Sequence, residues 1–261
     1  MQRGICKLCL QVGDLQDSHL MPAAMYDHIR KPSAKNPNPV IVTQRVTATT
    51  SKQVTNHLLC AACEDLFNKR GEMEILKWVW NGERFPLADR LAAARPHSTS
   101  QEFLVYSGTD IGIDTEKFAY FALSVLWRAA VHQWDLPFGG KSTVMDLGEL
   151  QEPIRLYLLG KSHMPEDVAI LLTVCIDPAS IGSFYTPSRI PNIPSRAFGL
   201  LTLGVNFMVH LGREMADSAR RVCCVKSPER LVVLRNCEDK LIGPYADLMK
   251  TSKVSRALQQ R

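Results

Sequence analysis

Two C-x2-C pairs, Cys6 with Cys9 and Cys60 with Cys63, constrain this chain more than any other feature. A C-x2-C turn sets two thiolates a few ångströms apart, as half of a tetrahedral site. One zinc ion joining two such halves staples whatever lies between them. Here residues 10–59 lie between, and they are polar and interrupted by Pro22, Pro32, Pro37 and Pro39. Such a stretch has little core of its own, so a structural Zn²⁺ is expected to supply much of its folding energy. The bland alternative is two reduced pairs that bind nothing.

The zinc reading needs reduced thiols, and the chain has eight cysteines. The N-terminal Met1-Gln2-Arg3-Gly4-Ile5-Cys6 lacks the apolar core of a secretory leader. No stretch approaches the ~18 apolar residues of a membrane span. Val168–Ile176 is too short, and Phe198–Leu211 is broken by Asn206 and His210. The expectation is a cytoplasmic chain with no membrane partner, where thiols stay reduced. Cys175, Cys223, Cys224 and Cys237 then read as packed thiols. Adjacent cysteines chelate poorly, which disfavours a second metal site at 223, 224 and 237.

An α+β fold in two parts is expected: a small zinc-bound module over 1–82, a connector over 83–101 and a larger α+β domain over 102–261. In the module, Val40–Thr47 has strand composition, and a helix is expected from Cys63 to Trp80, stopped by Asn81-Gly82. In the domain, Glu102–Tyr106 reads as a strand. A helix capped by Asp114 runs to about Trp134, and its apolar centre, Phe118–Val131, marks it as the buried central helix. Met145–Leu159 reads as a helix broken at Pro153. Val168–Ile176, Ala197–Val209 (bent at Gly204) and Leu231–Asn236 read as buried strands, and Tyr245–Arg261 as a helical tail.

Between the cysteine pairs stands Asp17-Ser18-His19-Leu20-Met21-Pro22, and around the second pair Asn56-His57-Leu58-Leu59-Cys60-Ala61-Ala62-Cys63, with Asn68 five residues on. This pattern resembles the zinc-stapled HNH endonucleases of the ββα-metal group: C-x2-C, an H-[I/L]-x-P element, N-x-x-L-L-C-x2-C and a closing His or Asn on the next helix. The resemblance covers about the first 75 residues. It implies metal-dependent hydrolysis of a phosphodiester, in DNA rather than RNA. His19 takes the position of the general base, for which a neutral imidazole is suited. Asn56 takes that of the residue bracing the base-bearing loop, and Asn68 that of a ligand to a catalytic Mg²⁺ or Mn²⁺.

Two departures are visible. Ser18 stands where the family carries an acidic or His ligand, and Asn56 lies one residue nearer the cysteines than usual. Asp17 shares a strand face with His19 at i, i+2 and so offers a substitute. Glu64 offers another: Glu64, Asn68 and Glu72 fall at i, i+4, i+8, one face of a helix. That face reads equally as a solvated stripe.

Arg45, Lys52, Lys69 and Arg70 are candidate phosphate contacts, with ordinary solvated charge as the alternative. The net charge of +5 permits a nucleic-acid partner without demanding one. The alternative to the nuclease is a catalytically inactive zinc-stapled module that binds nucleic acid or protein, which Ser18 favours. The domain over 102–261 would add substrate choice, partner binding or self-association as a homo-oligomer. A third reading places an enzyme site there, where Trp127-Arg128, His132, His210, Arg213 and Glu214 offer usable groups.

Overall fold

The computed structural model describes residues 2–30, 38–42, 46–193, 195–214, 217–225, 230–235 and 253–254. The chain starts with β1 (Gln2–Ile5), turns at the first cysteine pair and returns as β2 (Val12–His19), antiparallel to β1. Next come α1 (Ala23–Ile29), β3 (Val40–Val42) and β4 (Val46–Thr49). The single strand expected over 40–47 is thus two antiparallel strands, Val42 opposite Thr47. The chain then re-enters the first sheet as β5 (Thr55–Cys60), giving the order β1-β2-β5.

Cys60 ends β5, and α2 (Ala61–Phe67) begins at the next residue. A π-helical turn, Asn68–Glu72, leads directly into α3 (Met73–Trp78). The helix expected over 63–80 is therefore present as one run over 61–78, with a π turn inside it. Strand β2, strand β5 and helix α2 together make a β-β-α unit with a cysteine pair at each end.

The segment 83–101, expected as a connector, carries structure. Pro86 opens α4 (Pro86–Ala93), whose Leu87 and Leu91 are fully buried one turn apart. A missing N–H costs nothing in a helix's first turn, so Pro86 starts this helix and does not break one. Strand β6 (Ser98–Thr99) then pairs with β7 (Phe103–Ser107).

The central helix is α5 (Thr115–Val131), capped by Asp114 Oδ1, which accepts from the Lys117 N–H at 3.1 Å. Every residue from Phe118 to Ala130 is buried. On one side Phe118 and Phe121 meet Phe207, with ring centroids 6.4 and 5.8 Å apart. On another side the π turn comes so close that a Cβ on Gly71 would lie 3.0 Å from the Phe121 backbone. A side chain there would press on that backbone, so the close approach favours glycine.

Short strands β8 (Asp135–Leu136) and β9 (Gly140–Lys141) follow, then α6 (Gln151–Leu158), which Pro153 does not interrupt because it sits in the first turn. The remaining strands are β10 (Val168–Val174), β11 (Phe184–Arg189), β12 (Arg196–Thr202), β13 (Val205–Leu211) and β14 (Leu231–Arg235). With β6 and β7 they form a seven-stranded sheet in the order β11-β12-β13-β10-β14-β7-β6. The bent strand expected over 197–209 is a hairpin. Leu203 (φ +47°) and Gly204 (φ +92°) form a two-residue turn, and Thr202 pairs with Val205. Positive φ at both central residues is the geometry whose twist matches antiparallel strands.

Most of the expected tail helix lies outside the described residues. Its described pair, Lys253–Val254, is a short strand (β15) parallel to β4. One apolar cluster runs from Leu8, Leu58 and Leu59 through Phe67 and Trp127 to Phe207 and Val209. Among the described residues no helix is long and apolar enough to cross a membrane.

Candidate metal centre and the cluster beside it

Cys6 and Cys9 sit in the turn between β1 and β2, Cys60 at the end of β5 and Cys63 in the first turn of α2. Their sulfur atoms all lie within 4.8 Å of one another, and Cys9 Sγ and Cys60 Sγ are 3.8 Å apart. A tetrahedron with zinc–sulfur bonds of about 2.3 Å has sulfur–sulfur edges of about 3.8 Å. The tetrad therefore has the dimensions of a zinc–thiolate site and could bind such an ion. Its protons are held unequally. A hydrogen bond from Cys63 pulls the Cys6 thiol down, and that same bond, with burial, pushes Cys63 up. Four sulfur ligands suit a soft or borderline metal such as zinc.

Backbone bonds shape the first half-site. The Cys6 N–H donates to Gln11 O at 2.9 Å, Leu10 N–H to Cys6 O at 2.9 Å, and Lys7 N–H to Leu58 O at 3.1 Å, which ties the turn to β5. From α6, Arg155 Nη1 donates to the Leu8 carbonyl.

Beside the tetrad, the β2–β5 register sets Asp17 opposite His57, Ser18 opposite Asn56 and His19 opposite Thr55. Strand alternation turns Ser18 inward, where it is buried, and leaves Asp17 and His57 exposed and His19 half-buried. The Ser18 hydroxyl accepts from the Leu59 N–H at 3.1 Å and hydrogen-bonds the Glu64 side chain. Burial pushes the Glu64 carboxyl up, while Arg128 and the Ser18 bond pull it back down. Glu64 Oε1 is buried and has no hydrogen-bond partner.

Arg128 enters this cluster from the middle of α5 and is 1% exposed. Its Nη1 donates to the His19 carbonyl at 2.7 Å and its Nη2 to Glu72 Oε1 at 2.8 Å. Its Nε reaches Ser124 O at 3.4 Å, and the guanidinium lies 5.3 Å from the centre of the Phe67 ring. One turn later His132 takes part as well: Asn56 Nδ2 donates to His132 Nε2 at 2.8 Å. Burial pushes the His132 imidazole down, as do Lys7 and Lys141, against the pull of Asp135. The neutral ring keeps the lone pair that this bond requires.

The sequence-predicted residues thus fall into groups. His19, Asn56 and Glu64 belong to one cluster. Asn68 is exposed, although it was expected on one face with Glu64 and Glu72. The π turn begins at Asn68, and its extra residue brings Glu72 back into phase with Glu64, so both acids sense Arg128 while Asn68 faces solvent. Asp17 is exposed on β2. Lys69 pairs with Asp65 at 2.7 Å, and Arg70 stacks over Tyr120 at 4.8 Å. Lys52 is exposed at the surface, and Arg45 lies outside the described residues.

Among the described residues the cysteine tetrad is the one group of three or more His, Cys, Asp or Glu side chains close enough to share an ion. Cys223 and Cys224 are buried in different apolar clusters, and Cys237 lies outside the described residues. Sequence reasoning assigned Arg128 and His132 to a separate C-terminal site, whereas both contact the cluster beside the tetrad. The available signal was a single arginine inside an otherwise apolar helix, since such a charge is buried only with partners. Comparison of the chain with protein-family models, curated proteins and solved structures gives no match.

Proposed function

We propose that this chain is a zinc-stapled, metal-dependent endonuclease of the HNH type, hydrolysing phosphodiesters in DNA. The observation that carries the reading is one cluster on the β-β-α unit. His19 and Asn56 come from paired strands, and Glu64, from the helix that follows, has a buried oxygen free of any partner.

In this reading His19 is the general base. Its neutral imidazole takes a proton from water as the water oxygen bonds phosphorus, the bond to the leaving oxygen breaks, and that oxygen is protonated from solvent. Asn56 braces the strand beside the base. Glu64 Oε1 is the carboxylate oxygen available to a hard cation. Mg²⁺ needs only one or two protein carboxylates and takes its other ligands from water and phosphate. Asn68 and Asp17 are the further ligands that the resemblance nominates. When bound, the ion supplies positive charge at the phosphate. The zinc tetrad would hold the fold and take no part in the chemistry.

The second reading, a zinc-stapled module that binds without cleaving, is favoured by one observation. Ser18 stands at the acidic-ligand position, and its hydroxyl is already engaged by Leu59 and Glu64.

A plasmid-nicking assay with Mg²⁺ or Mn²⁺ separates the two. The nuclease reading expects metal-dependent nicking that falls by a factor of about 100 or more in His19→Ala, the usual scale of losing a general base. Binding without cleavage by the wild-type chain, on duplex and single strands, would overturn it in favour of the binding module.

A further inference from the structure

We infer that the C-terminal end of α5, its last turn and the capping residue that follows, is a two-point clamp on the catalytic strands, with Arg128 and His132 as positioning residues for His19 and Asn56. The inference rests on the nuclease reading and extends it beyond the module that carries the HNH resemblance.

The two residues proposed for chemistry are each gripped from α5. Arg128 binds the His19 backbone carbonyl at 2.7 Å, and His132 binds the Asn56 side chain at 2.8 Å. Arg128 lies in the last turn of α5, and His132 is the extended residue that ends it, four positions on. Asn56 is the β5 partner of Ser18, next to His19 on β2. The clamp thus holds neighbouring positions on two paired strands from the end of one helix.

Arg128 is itself fixed on several sides, by Glu72, the Ser124 carbonyl and the Phe67 ring. Its planar fork makes two directed bonds at once, which a lysine ammonium on a flexible stem does not reproduce. His132 is fixed by an edge-to-face contact with Trp134, whose centroid is 5.2 Å away, and Trp134 Nε1 donates back to the Arg128 carbonyl at 3.1 Å. The helix end is therefore braced on itself as well as against β2 and β5. A base held in this way loses little entropy on reaching its attack geometry, and small displacements are costly in rate.

The test uses the full zinc-loaded chain and four proteins: wild type, Arg128→Lys, His132→Ala and His132→Gln. A positioning role predicts that Arg128→Lys and His132→Ala each lower kcat by a factor of about 10 to 100 and leave KM unchanged, the usual cost of losing a residue that orients a ligand. His132→Gln, whose amide oxygen can accept the Asn56 bond, should recover most of that loss. Zinc content and thermal midpoint identify any variant that fails to fold. If Arg128→Lys is one, the two His132 variants decide.

Wild-type kcat in both folded variants would overturn the clamp, as would an equal loss in His132→Gln and His132→Ala. If the wild type cleaves nothing, the nuclease reading fails, and the clamp is then read by NMR. His132→Ala should shift the Asn56 Nδ2 proton pair and the Thr55 amide across from His19. Unchanged signals would overturn the clamp on its own.

Discussion

In the three-stranded unit, the paired residues Ile5 and Val12 stand 59% and 64% exposed. In the seven-stranded sheet, every residue of β12 from Ala197 to Thr202 is buried. The two sheets lie in one chain and share an apolar cluster, yet their stability comes from different sources. A short sheet with its outer face in water gains little from burial and depends on a cross-link. A broad sheet with a helix packed on it gains from area. Metal should therefore be decisive for the first and nearly irrelevant to the second.

The strongest way to break this comparison is to remove the staple. Cys63→Ser, or exhaustive chelation, should abolish protection from hydrogen exchange in β1, β2 and β5 while β10, β12 and β13 keep theirs. Structural zinc sites contribute about 10 kcal/mol or more, so the loss should be complete. Protection that survives in β2 and β5 would show that packing against α5 suffices there. The reciprocal change is Phe207→Ala, which empties the contact between β13 and α5. It should cost about 3 to 5 kcal/mol in global denaturation and leave one zinc per chain by metal analysis. A fall in zinc content would mean that the sheet also holds the staple.

Gly71→Ala probes the seam between the two regions. The new methyl meets the Phe121 backbone, which cannot swing aside, so a loss of about 1 to 3 kcal/mol is expected in chemical denaturation. A neutral result would mean that the π turn can back away from α5.

The smallest effect is a pH dependence confined to the sheet. His210 on β13 is buried, its Nδ1 lies 2.9 Å from Ser195 Oγ, and its Nε2 has no partner. Burial pushes its pKa below the ordinary value of about 6.5. The neutral ring is thus favoured in the folded state. The stabilisation is full above about pH 6.5 and is lost as the pH falls through the depressed folded value, because the unfolded chain gains its proton first. Urea midpoints at pH 5 and 7.5 should therefore converge in His210→Gln relative to wild type. An identical pH slope would remove His210 from the account.

What could be read from the sequence follows the same division. The tetrad was legible because its ligand spacing is local on each side. The helix over 61–78 and α5 were legible because they are long and periodic. The hairpin at Leu203–Gly204 was hidden because a leucine occupies a positive-φ position where asparagine or glycine would have announced a turn. Helix α4 was hidden because Pro86 and Pro96 suggested a linker, although proline opens helices as readily as it ends them.

The contacts around the candidate site were only partly legible. His19, Asn56 and Glu64 stand in or beside a recognisable motif. The contact of Arg128 with His19 spans 109 residues of sequence, and no local period encodes such a pairing. The i, i+4, i+8 rule failed at its second step, since it assumes an unbroken α-helix and a π turn lies between Asn68 and Glu72.

The position of the clamp on α5 also fixes an order of events in time. Chains emerge from the ribosome N-terminus first, at roughly 5 to 20 residues per second, and fold in units as they appear. Both cysteine pairs are out by Cys63, so zinc can close the first sheet while α5 is still untranslated. At that moment His19 and Asn56 lie side by side with no grip from behind. Arg128 and His132 follow Cys63 by 65 and 69 residues, so they arrive only after both cysteine pairs. A chain made in this order would complete the cysteine tetrad at a stage when β2 and β5 still lack their contacts with Arg128 and His132.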